Sequence, residues 1–524
     1  MAPVTPPLDR RAFVHGSLAA TAVLLTGRNV IPAAAAAPQD DLARLTVAEL
    51  GRLLRARKLS VKELTLGYLD RIAKYDGREG LNAYITVDRE GAQREAERLD
   101  GLLKEGKPLG PLQGIPLAIK DNLDSQGVRT TGASKVLANW VPTEDASVVR
   151  RLRAAGCIVL GKTNLHEFAY GITTNNPHYG PTRNPYDRTR IPGGSSGGSG
   201  AAVAAGLCAA GVGTDTGGSI RIPAALCGIV GLKPTLGRVG RGGLMSLSFT
   251  TDVIGPMTRT VEDAALVLRA MAGPDPRDPA ASARPVPDYT RVLKAGLKGV
   301  RVGVPRKHFY EGNDPEVEQL TEQALKALED LGATLADVEI KDLELVGPTA
   351  AAVIRSETIY LLEAYLKQFD PAATIDKYLP EFGTDIQRIL GSQKGTETAK
   401  PVPGYSYLEG LRTNRPRVVR GFEEALKDVD ALVTPQTPLP AAKIGEDMEV
   451  ELRGKKVSTF FTFIKHCTPV SVAGLPALSV PAGWTAGGLP VGIQFVGRAW
   501  EEERIIRIAY GYEQATRWRR PPTL

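Results

Sequence analysis

Gly193–Arg221 reads GGSSGGSG, then AAVAAGLCAAGV, then GTDTGGSIR. Two glycine clusters, each carrying serine, flank an alanine-rich run with the character of a short helix followed by a short strand. Glycine lets a backbone pass close to a ligand. A serine at the turn from a strand into a helix can present both its hydroxyl and free backbone N–H groups. The strand-like LCAAGVGTD leads into Thr216-Gly217-Gly218-Ser219, and Ile220 to Cys227 opens as a helix. This strand, turn and helix set the reading of the whole chain as α/β.

Working outward, the same alternation continues. Thr46 with Glu49, and Ser60 with Glu63, are capping-box signals for two helices. A third helix is expected near Arg89–Lys104. Strand-like runs at Gly114–Ile119 and Cys157–Leu160 flank a helix near Ala146–Ala155. A helix follows at Val261–Met271, then a proline-rich connection from Gly273 to Tyr289. Further strands are expected at Val300–Pro305, Asp430–Pro435, LSVPAG and GLPVGIQFVG, with helices near Pro315–Leu331, Ala350–Phe369 and Glu501–Thr516. Strands alternating with helices over this length predict an α/β fold. The key segments are scattered and no linker separates them, so one large domain is expected, with residues 310–407 as a possible helical lobe.

Three elements suggest chemistry. Ser219 sits where N–H groups of Thr216, Gly217, Gly218 and Ser219 can converge on one point, the geometry that stabilises an oxyanion. By itself TGGS reads more readily as an ordinary glycine turn. Ser195 lies in Gly193–Gly198, which reads as a flexible loop, or as a phosphate loop lacking the preceding buried strand and the GK[ST] ending. A literal GxSxG surrounds Ser195, but no apolar strand leads into it. Lys120 ends the apolar run PLAI before Asp121 and Asn122. A lysine at the end of a core strand is desolvated, which lowers its pKa and makes it a base; a salt bridge to Asp121 or Asp124 is the competing role. Histidine is the usual serine-hydrolase base, yet His166, His178, His308 and His466 stand in no context that identifies one.

Composition narrows the function. The 524 residues carry a net charge of +7, but the basic residues are scattered among acids and no nucleic-acid signature accompanies them, so no nucleic-acid partner is expected. The four cysteines form no CxxC pair and no HExxH occurs, so neither metal nor cofactor is expected. At the N-terminus, Arg10 and Arg11 precede an apolar stretch from Ala12 to Leu25 and then IPAAAAAPQD. Residues 1–37 thus read as a twin-arginine signal peptide, which predicts a periplasmic or secreted protein; the stretch is short for a membrane span, so no stable anchor is expected.

With these elements in order, the chain resembles the amidase signature family. The motifs are GIPLAIKDN, GKTNLHEF, RNPYD, PGGSSGGSG, GTDTGGSIRIPAALCGIVGLKPT, GPMTRTVEDAALVL, AGLPALSVPAG and GLPVGIQFVG, spread over residues 41–521. The resemblance implies a single domain with a mixed central sheet covered by helices on both faces. It implies Ser219 as nucleophile, Ser195 as a bridging serine held by a cis peptide, and Lys120 as base. Thr216, Gly217, Gly218 and Ser219 would form the oxyanion hole, and Ser196, Asp215 and Arg221 would support it. The implied reaction is hydrolysis of small amides through an acyl-enzyme, by a monomer or homodimer. TTNNPHYGPTRNPYD and IRIPAALCGIVGLKPT are most similar to indoleacetamide and mandelamide hydrolases. The alternatives are esterase, carbamate or peptide-amide hydrolysis, and a protein like the amide-hydrolysing subunit of a tRNA-dependent amidotransferase. The export reading counts against the last of these.

Overall fold

The computed structural model describes residues 44–107, 110–394 and 401–524. The capping boxes at Thr46 and Ser60 form as expected: each hydroxyl accepts from the N–H three residues on, and Glu49 and Glu63 return the bond. These open the helices Val47–Arg55 and Val61–Tyr75, and Arg89–Lys104 follows from an Asp88 cap.

In chain order the strands are β1 Tyr84–Val87, β2 Pro116–Lys120, β3 Ile158–Thr163, β4 Asn175–Asn176, β5 Gly180–Pro181, β6 Ala210–Asp215, β7 Val230–Lys233, β8 Val253–Thr258, β9 Arg301–Val304, β10 Thr334–Asp337, β11 Ala431–Pro435, β12 Glu449–Leu452, β13 Lys455–Ser458, β14 Ala477–Trp484 and β15 Pro490–Val496. Eleven of them form one sheet in the order β1-β3-β2-β6-β8-β7-β14-β15-β11-β9-β10. It is mixed. β2 runs parallel to β3 and β6, β9 runs parallel to β10 and β11, and the strands between pair antiparallel. Helices flank it, among them Val261–Met271 and Glu502–Thr516 packed on each other, and Gly197–Ala204 with Arg221–Leu226. β2, β3, β6, β7 and β8 are buried along their whole length, as strands covered on both faces must be.

The sequence reading misses β7 and β8. VGLK and VIGPMT carry glycine and proline, which argue against a central strand. β7 pairs with Thr258 and Met257 and stops there, so Pro256 lies past the end of that ladder. The 310–407 stretch is helical at Pro315–Asp330, Val346–Phe369 and Thr384–Lys394, but it is not helical throughout: β10 lies within it and forms the edge of the main sheet. Four residues with a glycine and turn before them were too short a period to read. All four cysteines are buried and free.

Glycines in this fold are of two kinds. A Cβ at Gly255 would meet the Leu232 carbonyl oxygen at 2.0 Å, whereas at Gly101, on the helix Arg89–Lys104, it would meet nothing within 4 Å. Gly255→Ala is therefore expected to lower the melting temperature and soluble yield sharply. Gly101→Ala should raise stability by roughly 0.5–1 kcal/mol, since alanine restricts the unfolded chain and favours helix. Thermal melts of both variants check this; equal effects would contradict the packing.

Candidate active site

β2 and β6 are parallel neighbours, so their carboxyl ends lie side by side at one edge of the sheet. That edge is where ligands sit in α/β sheets. Lys120 ends β2, and Thr214 and Asp215 end β6. Lys120 is fully buried, with Nζ 2.7 Å from Ser195 Oγ and 2.7 Å from Thr214 Oγ1. Thr214 Oγ1 also accepts from Asn122 Nδ2 at 3.1 Å. Burial pushes the Lys120 pKa down to about 7, against the opposing pull of Asp215 and Asp252. The competing salt bridge to Asp121 or Asp124 does not form. Asp121 instead faces Lys162, with Nζ 3.4 Å from Oδ1.

Ser195 follows a cis peptide bond from Gly194. Its carbonyl accepts from His166 N–H at 3.2 Å. Ser196 Oγ donates to the Thr214 carbonyl and accepts from Thr214 N–H, both at 3.2 Å, and so ties this loop to β6. Ser196 N–H donates to the Ser219 carbonyl at 3.2 Å, which brings the two serine-bearing loops together. Ser219 is 7% exposed, and its Oγ has no hydrogen-bond partner among the described residues.

The turn between β6 and the helix Arg221–Leu226 is held from below. Arg221 Nε and Nη2 donate to the two oxygens of Asp215 at 3.0 and 2.9 Å, with both side chains fully buried. Arg221 also donates to Gln494 Oε1, the Cys467 carbonyl and Ser471 Oγ. Asp215 further accepts from Ile220 and Gly218 N–H, at 3.1 and 2.8 Å. Burial acts to raise its pKa, but Arg221 outweighs it and holds the carboxyl down at about 2. Gly218 has φ +134°, and a Cβ there would lie 2.7 Å from Cys467 Cβ, so only glycine fits. Because Gly218 N–H is committed to Asp215, it is not free for an oxyanion. The N–H groups of Gly217 and Ser219 have no acceptor among the described residues. Above the turn, Thr216 Oγ1 donates to Asp252 at 2.6 Å, and Asp252 accepts from Leu247 and Ser248 N–H.

Sequence reasoning missed Thr214, Asn122, Gln494, Ser471 and Asp252. The first two stand inside motifs it quoted, beside Asp215 and Lys120. Gln494 and Ser471 reach Arg221 across separations of 273 and 250 residues, which no local pattern reports.

Residues 63–506 match the family model described as Amidase. The chain is 42% identical over 499 residues to a glutamyl-tRNA(Gln) amidotransferase subunit of Moorella thermoacetica, covering 92% of this chain and 99% of that one. Among solved structures, the native peptide amidase of Stenotrophomonas maltophilia superposes with TM-score 0.82 at 36% identity, covering 93% of this chain and 99% of that one. A bacterial aryl acylamidase of the amidase signature enzymes family superposes with TM-score 0.81 at 26% identity, covering 90% and 96%. The relatives overturn the expectation of a periplasmic or secreted protein. Those matched over nine-tenths of this chain are named for a glutamyl-tRNA(Gln) amidotransferase. Residues 1–37, on which the export reading rested, lie outside the described residues. An arginine pair before an alanine-rich run is a composition, whereas an export signal is an address that a receptor must read. Without export, a role in an amidotransferase is no longer disfavoured.

The Asp215–Arg221 pair yields a stability prediction. Arg221→Met leaves a buried carboxylate unpaired, at an expected cost of about 3–5 kcal/mol, and replacing both partners with apolar residues should recover part of it. The folded carboxyl sits at about 2, below the ~3.9 of an unfolded aspartate. Its contribution is therefore complete above pH ~4 and lost as pH falls through about 2. Urea unfolding from pH 2 to 7 reads both effects.

Proposed function

Because this chain belongs to the amidase signature family, enzymes that act on amide C–N bonds, we propose that Ser219 is its nucleophile, Ser195 the relay and Lys120 the base. The observation that carries this reading is a fully buried lysine, its pKa down at about 7, 2.7 Å from a serine hydroxyl on the loop bonded to the Ser219 backbone. Nζ donates one N–H to Thr214 Oγ1, which leaves the lone pair of the neutral amine for Ser195 O–H. Ser195 gives its proton to Lys120 and takes that of Ser219. Ser219 Oγ attacks the amide carbonyl. The N–H groups of Thr216, Gly217 and Ser219 stabilise the oxyanion, while Gly218 N–H, through Asp215, keeps the turn in shape. The proton returns along the same path to the departing nitrogen as the C–N bond breaks. Water then attacks the acyl-enzyme and frees the acid.

For the substrate we propose a primary carboxamide, with ammonia as the first product. A second reading has a specific observation behind it: the chain is the amide-hydrolysing component of a tRNA-dependent amidotransferase. It is supported by 42% identity across 99% of such a protein, and it stands ahead of the arylacetic amides suggested by short stretches of text. The peptide amidase likeness supports amidated peptides as a third substrate to test.

Ser219→Ala should abolish both ammonia release and labelling by a fluorophosphonate, with the adduct on wild type mapped by mass spectrometry. Lys120→Ala and Ser195→Ala should each lower kcat by about 10²–10⁴, and the double variant should be little worse than the worse single one. Labelling of another serine, or near-normal turnover of Lys120→Ala, contradicts the assignment.

The base works as the neutral amine, so kcat/KM should rise with pH through about 7 and level off above it. A rate that falls across that interval contradicts a lysine base. Ammonia release from glutamine, phenylacetamide, mandelamide and a C-terminally amidated peptide ranks the substrates. A lead of roughly tenfold, about 1.4 kcal/mol, for any one decides the class, and a lead for glutamine calls for a transamidation assay with glutamyl-tRNA and partner proteins.

A further inference from the structure

A cavity of about 350 Å³ lies away from the proposed catalytic turn, walled by Arg44, Arg259, Arg519 and Arg520 with Tyr75 and Tyr186. The helices Gly197–Ala204 and Arg221–Leu226 begin at the two serine-bearing loops and end at this cavity, which Ala204–Gly206 and Gly228–Ile229 also line. Eight residues of helix place about 12 Å between the two ends.

The walls are built rather than loose. Arg259 is 7% exposed; it donates to the Cys208 and Leu45 carbonyls, and its Nε is buried without a hydrogen-bond partner. Arg519 donates to the Arg44 carbonyl. Arg520 stacks on Trp484 with 5.1 Å from its guanidinium carbon to the ring centroid, and its carbonyl accepts from Tyr186 OH at 2.6 Å. The carbonyls of Ala205 and Gly206, which would repel an anion at a helix end, accept from Arg71. None of Arg44, Arg259, Arg519 and Arg520 forms an ion pair among the described residues. Glu49, Asp263 and Glu513 act on Arg519 from beyond ion-pair range, and burial holds the Glu513 carboxyl up at about 8, hence mostly neutral below that pH.

We propose that this arginine-walled cavity is a binding site for a small anion bearing two or more phosphate groups, separate from the catalytic serines. Four arginines lining one space supply the positive charge that phosphate oxygens are drawn to. The volume lies within the range of small-molecule sites.

Titration calorimetry of the full chain with inorganic pyrophosphate tests it. Saturable binding is expected, and Arg519→Gln/Arg520→Gln should weaken it at least tenfold. Both of those side chains are exposed, so the variant should fold; matching melting curves without ligand verify this. Binding should persist after Ser219 is blocked by a fluorophosphonate. Absence of saturable binding, a loss under about threefold in the double variant, or displacement by the Ser219 adduct overturns the proposal.

Discussion

The fully buried pair of Asp215 and Arg221 is the interaction on which the rest of the centre depends. Two charges without water are stable only when every remaining donor and acceptor is used. Here Asp215 takes the N–H groups of Gly218 and Ile220, and Arg221 reaches Gln494 on β15, Ser471 and the Cys467 carbonyl. The result is a five-residue turn, Thr216–Ile220, with its backbone determined from below. Ser219 cannot move without breaking a charged network that spans the sheet from β6 to β15.

Desolvation alone does not make a lysine a base in this fold. Lys120, Lys162 and Lys233 are all fully buried. Lys162 faces the Asp121 carboxylate, and donates to the Leu123 carbonyl and Thr130 Oγ1. Lys233, like Lys120, is brought to about 7 by burial, but among the described residues it donates only to the carbonyls of Leu475 and Pro234. A carbonyl has no proton to give. Lys120 alone among them has a serine hydroxyl within reach on one side and a fixed acceptor, Thr214, on the other. The neighbours, rather than the pKa, distinguish the catalytic candidate from the structural lysines.

Proteins named for a glutamyl-tRNA amidotransferase, a peptide amidase and an aryl acylamidase share this scaffold. Each of them matches 90% or more of this chain. One connection is visible. Asp252 holds Thr216 from the loop 247–252, and Glu357 on the helix Val346–Phe369 accepts from Ser248 Oγ, Thr250 and Tyr407 OH. The wall around Ser219 is thus tied to helices of the 346–409 region, where the sequence matched no motif.

Read alone, the sequence determined the α/β alternation, the capping boxes, and the identity of Lys120, Ser195 and Ser219 as the residues to watch, because periodicity, caps and glycine-serine turns are local and each leaves a mark within a few residues. It missed β7 and β8, whose glycines and proline resemble a loop until neighbouring strands are seen to tolerate them. Its N-terminal reading was composition without a receptor. Only the tertiary structure decided which acceptor each buried charge would find. Lys120 meets Ser195 and Thr214, while the adjacent Asp121, in the turn after the strand, faces Lys162 and accepts from Thr131. Gly218 gave its N–H to Asp215 and left Gly217 and Ser219 unpaired. Gln494 and Ser471 came to Arg221 from more than 200 residues away. Such pairings depend on which strands become neighbours, and strand order in a mixed sheet is settled by the packing of the whole chain.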